Sequence, residues 1–325
     1  MTTAIRRLCC AIGAAFALLF ASSIAHADTN GDAVEVGVVP ALDLQLAPLE
    51  APSAAHPWGT VALAWHATDT SFVDHLRIGE WDLRTGRFVK VRTLRDRALI
   101  DCGIRLARAG DTLLVLSSGV SAPGSATELI QLGLDLVEQG SVTFADGFLA
   151  SLAVDARFIA VGSYEAGSYH VRLLDAATLA ILTASKFRGP LAPWPAQELS
   201  SHALRLEAGH LYVALAEPDP RFVRLLLPSL AIDASAVFRI PQAHRSGYTS
   251  ASLSALPAPL SFDSGNDRHL LSSELRILAQ VPARTAPKED EESSQMMGER
   301  VTQRIFGRTV STSVRHARWM LRVTP

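Results

Sequence analysis

Cysteine is nearly absent from this chain of 325 residues: there are three, and two of them, Cys9 and Cys10, lie inside the N-terminal apolar run. Once that run is removed, Cys102 is the only thiol. No intramolecular disulfide is then available, and core burial has to hold the fold without cross-links. Between Ile100 and Ile104, Cys102 reads as a small buried hydrophobe, with a reactive or chain-joining thiol as the alternative. Lysine is scarce as well, confined to Lys90, Lys186 and Lys288, so arginine carries almost all the positive charge. With 30 basic and 32 acidic residues the formal charge is −2. That balance gives no electrostatic case for a nucleic-acid partner. Also missing are His-Glu-x-x-His, paired Cys-x-x-Cys, Gly-x-Ser-x-Gly and a phosphate-binding glycine loop. Each would have signalled a particular chemistry.

What is present begins with an export signal over residues 1–27. Arg6 and Arg7 form a charged start, Leu8 to Ala21 an apolar core, and Ala25-His26-Ala27 a small-x-small cleavage site. A retained anchor is the alternative, since Leu8 to Ala25 could just cross a thin bilayer. Cleavage implies a bacterial periplasmic or secreted protein with no membrane association afterwards. Residues 28–57 read as an N-terminal strand, Val34 to Val39, followed by an irregular tether from Ala47 to Pro57 with three prolines.

Residues 58–325 carry a degenerate repeat, clearest between Gly110 and Phe187. A short apolar strand leads to a glycine-bearing hairpin, a second strand ending near an Asp, and a third strand closing on Phe. From Phe144 to Phe187 is 43 residues, a spacing typical of repeat-built β architectures. The alternation of Val61, Leu63 and Trp65 with Ala62, Ala64 and His66 marks one buried face. Units fall near 58–96, 104–144, 149–187 and 203–240. Beyond Pro241 the period dissolves, His269 to Val281 reads as a strand pair or a short helix, and 282–298 is an acidic loop. Alanine runs such as Ala176 to Ala180 would suit an α/β alternative, but no long window keeps a helical period.

In the first unit the second strand ends in Asp82-Leu-Arg-Thr85-Gly86, where Asp caps a turn and Gly supplies a positive φ. The signal recurs in part at Asp175-Ala-Ala-Thr178 without the Gly, and Asp135 holds the corresponding place between them. This pattern resembles the repeat of quinoprotein-like and other bacterial β-propellers over about Thr60 to Ile240. The resemblance implies an all-β propeller with blades of four antiparallel strands, and dividing the length after the export signal by the 43-residue spacing gives six or seven irregular blades. The alternation of Trp319, Leu321 and Val323 makes the C-terminus a mate for the N-terminal strand, so the two chain ends are expected to close the ring in one sheet.

Propeller lactonases and quinone-dependent dehydrogenases hold a divalent metal with carboxylates plus Asn. Only Asn30 and Asn266 occur here, which counts against both activities. His66, Asp69, Asp74 and His75 cluster in sequence but span a hairpin, so the expectation is no metal and no cofactor. In a propeller, the links between units gather around the channel mouth. They bring forward Asp101, Asp146, Trp194, Glu198, His202, His244, Arg245 and Tyr248 as candidate binding residues. Rigid aromatics and Arg on loops are common anchors, although Trp194 could equally plug a gap between blades. The doubled Gly-Ser-Tyr at Tyr164 and Tyr169 is expected to pair its tyrosines across a hairpin. The reading is a non-catalytic scaffold for a protein, peptide or glycan partner. The alternatives are a hydrolase, lactonase or lyase using Asp101, Asp146, His202 and His244 as acids and bases, or a structural subunit of an envelope complex.

Overall fold

The computed structural model describes residues 33–35, 44–68, 74–96, 100–121, 124–145, 148–165, 168–188, 203–215, 221–238, 250–252, 260–264, 267–282, 302–315 and 318–324. Among the described residues no helix is long and apolar enough to cross a membrane, and every regular element is a strand. The chain opens with β1 (Ala33–Glu35). A first sheet follows, formed by β2 (Leu44–Glu50), β3 (Thr60–Thr68), β4 (Asp74–Asp82) and β5 (Arg87–Arg95). The second sheet comprises β6 (Ile100–Ala109), β7 (Thr112–Ser121), β8 (Gly124–Gly133) and β9 (Glu138–Ala145). The third comprises β10 (Phe148–Val154), β11 (Phe158–Glu165), β12 (Ser168–Asp175) and β13 (Ile181–Arg188). The fourth comprises β14 (Ala203–Glu207), β15 (His210–Leu215), β16 (Arg221–Leu226) and β17 (Ala231–Val237). The fifth comprises β18 (Ser250–Ser252), β19 (Leu260–Ser264), β20 (Asp267–Leu271) and β21 (Ile277–Pro282). Each of these is a simple antiparallel meander.

The remaining sheet joins the two chain ends. It pairs β1 with β24 (Arg318–Thr324), and continues through β23 (Arg308–Arg315) to β22 (Thr302–Ile305). The register sets Val34 opposite Leu321 and Glu35 opposite Met320. The expected pairing of the chain ends is therefore realised. The first strands β2, β6, β10 and β14 lie beside one another in succession, so the sheets are arranged around their inner edges. Burial declines outward. The fourth strands β5 and β17 are exposed at more than half of their positions, whereas β2 buries Leu44, Leu46, Ala47 and Leu49.

Among the described residues, sheet faces meet in five apolar clusters, each shared between neighbours. Val61, Leu63 and Trp81 of the first sheet pack on Ile305, Val310 and Leu321 of the closing sheet. The opposite parity of the same strands, Ala62, Ala64 and Ile78, packs on Leu113, Val115 and Ile130 of the second sheet. This explains why the strands are apolar on both faces: every interior sheet is sandwiched.

Two sequence expectations are corrected here. The tether assigned to 47–57 is a strand as far as Glu50, so the first unit begins at Leu44 and not at residue 58. Pro48 is tolerated because β2 is an edge strand with a register shift between Pro48 and Glu50. Likewise, the stretch judged aperiodic beyond Pro241 contains the fifth sheet, and the ambiguous 269–281 is a strand pair. Its strands are short, and β18 and β19 are rich in Ser, which hid them from pattern reading. The acidic loop lies almost wholly outside the described residues.

The turns between third and fourth strands account for the missing glycine. In the first sheet Asp82 Oδ1 accepts the N–H groups of Arg84 at 2.9 Å and Thr85 at 2.7 Å, and Gly86 has a φ of 64°. Asp175 does the same for Ala177 and Thr178, but the left-handed position is filled by Leu179, φ 58°. Leu230 (φ 54°), Leu136 (φ 63°) and Leu275 (φ 62°) serve the other three meanders. All four leucines are buried in the seam with the preceding sheet. A left-handed leucine costs about 1–2 kcal/mol, and burying its side chain returns about 1.5–3 kcal/mol. In the first sheet the two tasks are divided: Leu83 fills the seam and Gly86 makes the turn. Asp135 does not hold the position of Asp82. Its turn is one residue shorter, closed by Leu136 N–H to the Gly133 carbonyl, and Asp135 caps Val137 from inside it.

Candidate functional site

Because strands alternate in direction, each meander has two ends. The first-to-second-strand loops and the turns after the third strand share one end. The links from one sheet to the next leave from the other. The sequence reading nominated that second end. Asp146, Trp194, Glu198, His202, His244, Arg245 and Tyr248 lie outside the described residues. Asp101 is described only in its backbone, in β6 opposite Gly119. Of the hairpin cluster, His66 faces with Leu76 and His75 with Ala67, on opposite sides of the sheet, while Asp69 and the Asp74 side chain lie outside the described residues. Tyr164 and Tyr169 are direct cross-strand partners, as expected. Tyr169 is buried and hydrogen-bonded to Ser151, and that burial pushes its phenol well above its ordinary range.

The described residues gather ionisable groups at the other end, beneath the first sheet. Residues 51–59, joining β2 to β3, form a loop much longer than the tight hairpins at Gly110 or Gly209. The loop is fixed at several points. The His56 carbonyl accepts the N–H groups of Ser53 at 3.0 Å and Gly59 at 2.8 Å. Leu83 N–H donates to the Gly59 carbonyl at 3.2 Å. Trp58 lies under the Arg308 guanidinium, 4.1 Å from the ring centroid, in a cation–π contact with the closing sheet. A side chain at Gly59 would strike the Phe306 ring and the Glu50 carbonyl. The loop thus seats the first sheet on the closing one.

Inside this loop, His56 Nδ1 is 2.6 Å from Asp82 Oδ2. The bond to Asp82 and the nearby charges of Asp82, Glu50 and Glu80 raise the imidazole pKa, against a smaller effect of burial. Burial pushes the Asp82 carboxyl up, but the hydrogen bonds from Thr85, His56 and Arg84 outweigh it and leave it below its usual range. Glu50 ends β2 and Glu80 lies on β4. One ring nitrogen of His56 and one oxygen from each of these carboxylates lie within 4.8 Å of one another. Glu50 and Asp82 are both register partners of Thr60, and Glu80 precedes Asp82 by one side-chain period. Nothing in sequence flags this set, because its members come from three elements and no spacing motif connects them. A carboxylate, an imidazole and two further carboxylates in one corner can relay a proton or ligate a cation.

No protein-family model matches the chain, and no curated protein does. Solved structures are similar in fold. The Dos1 propeller superposes with a TM-score of 0.52 at 8% identity, over 86% of this chain and 66% of that one. The fold is a β-propeller. The WD40 domain of Neurospora crassa Pan2 gives a TM-score of 0.40 at 12% identity, over 70% of this chain and 58% of that one. Dihydro-heme d1 dehydrogenase NirN in complex with DHE gives 0.44 at 16% identity, over 91% and 52%. The chain therefore spans between about half and two thirds of the length of these structures. At such identities the likeness concerns the fold alone.

Proposed function

We propose that this β-propeller is an exported, non-catalytic scaffold for a protein, peptide or glycan partner. The Asp82-to-Gly86 turn supports a place among quinoprotein-like propellers, and residues 1–27 support a bacterial periplasmic or secreted location. The strand order is the single observation that carries the reading. In each meander the fourth strand runs back to the end from which a first strand starts, and this order supports the reading that the connecting segments share one face. Those segments contain Trp194, Glu198, His202, His244, Arg245 and Tyr248, with Asp101 and Asp146 in the shorter links. Connecting segments that carry an aromatic together with Arg, His and carboxylates suit a partner that presents both apolar surface and hydrogen-bonding groups.

The test is capture by immobilised protein from an envelope extract, alongside a glycan array. Trp194→Ala and Arg245→Ala should abolish the captured species while leaving the thermal midpoint within about 1–2 °C of the parent. Arg84→Ala, at the opposite end, should change neither. Retention of the same partner by the Trp194 and Arg245 variants would put the binding surface elsewhere.

A further inference from the structure

Glu50, His56 and Glu80 form a corner in which two carboxylates meet one imidazole, while Lys90, the register partner of Glu80, donates to the Asp135 carbonyl instead. Two carboxylates held beside one ring nitrogen, all within 4.8 Å, favour a positive charge between them, supplied by a proton on the imidazole or by a metal ion that replaces it. The imidazole is oriented from behind. Asp82 takes Nδ1 at 2.6 Å and is itself fixed by the Arg84 and Thr85 N–H groups. Carboxylate–histidine pairs of this kind set the ring angle and tautomer of metal-bound histidines, and with Nδ1 held by Asp82 it is Nε2 that would ligate. A separate observation points to the same place. Thr60 is fully buried, and among the described residues its hydroxyl has no hydrogen-bond partner. Its strand neighbours on either side are Glu50 and Asp82. An orphaned buried hydroxyl on a residue paired in register with both acidic residues calls for a further polar group.

We propose that Glu50, His56 and Glu80 bind one divalent cation of the zinc class, with Asp82 positioning His56 and the Thr60 hydroxyl hydrogen-bonding a water on the cation. One imidazole and two carboxylates are a borderline-soft nitrogen and oxygen set, suited to zinc and leaving a fourth position for water. Calcium is disfavoured because it takes six to eight oxygen ligands. The site pins the loop of residues 51–59 to the first sheet. Since Trp58 and Gly59 in that loop meet Arg308 and Phe306, the cation strengthens the seam with the sheet built from both chain ends.

The experiment uses tag-free protein stripped with a chelator and titrated calorimetrically with Zn²⁺, with metal content measured after dialysis. One zinc per chain is expected, with a rise of about 5 °C in thermal midpoint at saturation. Glu50→Gln and Glu80→Gln should each weaken binding at least tenfold, and Asp82→Asn by about 10–100-fold. His56→Ala should abolish it. Because His56→Ala also breaks the bond to Asp82, Glu50→Gln is the decisive variant: Glu50 is exposed and the replacement keeps its shape. The proposal is overturned if no stoichiometric zinc binds at about 100 μM. It is equally overturned if the Glu50→Gln, Glu80→Gln double variant binds as the parent does, or if Ca²⁺ binds in preference to Zn²⁺.

Discussion

Leu136 offers a sharp test of how the sheets are joined, because its backbone and side chain pull in opposite directions. It sits at φ 63° with 1% of its surface exposed, packed in the cluster shared by the first and second sheets. Leu136→Ala keeps the left-handed strain and empties the seam, at a cost of about 3 kcal/mol. Leu136→Gly empties the seam too, but releases about 1–2 kcal/mol of strain. Against this, glycine adds about 0.5–1 kcal/mol of unfolded-state entropy. Glycine should therefore be at least as stable as alanine at 136, by about 0–1.5 kcal/mol. Leu132 is a control from the same cluster, fully buried and not among the residues of positive φ. There glycine should be worse than alanine by about 1 kcal/mol. Urea unfolding of all four variants, with the slope held constant, reads the difference directly. An equal glycine-to-alanine gap at both positions would show that the turn is not strained. A cost below about 1 kcal/mol for Leu136→Ala would show that the side chain does not fill the seam.

Two further outcomes follow from polar contacts. Tyr169→Phe deprives the buried Ser151 of its partner and should cost about 1–3 kcal/mol, and Ser151→Ala a similar amount. The double variant should cost clearly less than the sum, and strict additivity in a denaturation cycle would refute the coupling. Gly162→Ala should be worse than either, since its Cβ would collide with the Tyr169 hydroxyl. Arg95 bridges the first and second sheets, reaching Glu128 at 2.6 Å and Glu138 at 2.7 Å. Its hydrogen bond holds the Glu138 pKa below the ordinary 4.5. The stabilisation is therefore complete above pH 4.5 and is lost as pH falls through the lower folded value. Glu138→Gln should flatten this part of the acid limb when thermal midpoints are followed from about pH 3 to pH 7. Parallel profiles for parent and variant would remove the ion pair from the account.

Local sequence determined the strands of the first four sheets, the alternation that marks one buried face and the Asp-capped turns, because alternation and turn chemistry act over a few residues. It also marked the meeting of the chain ends, since Leu321 and Val323 alternate with polar neighbours and Val34 stands ready to pair. What it could not reveal was set by neighbours distant in the chain. Leu179 looks like a lost glycine until the second sheet is seen to bury it. Pro48 looks like a tether until β3 pairs beside it. Glu50, His56, Glu80 and Asp82 carry no motif, because only the antiparallel return of β3 and β4 brings residues 24 to 32 positions apart into one corner. Periodicity records which face of a strand is buried; which side chains then share a corner is decided by how the sheets stack.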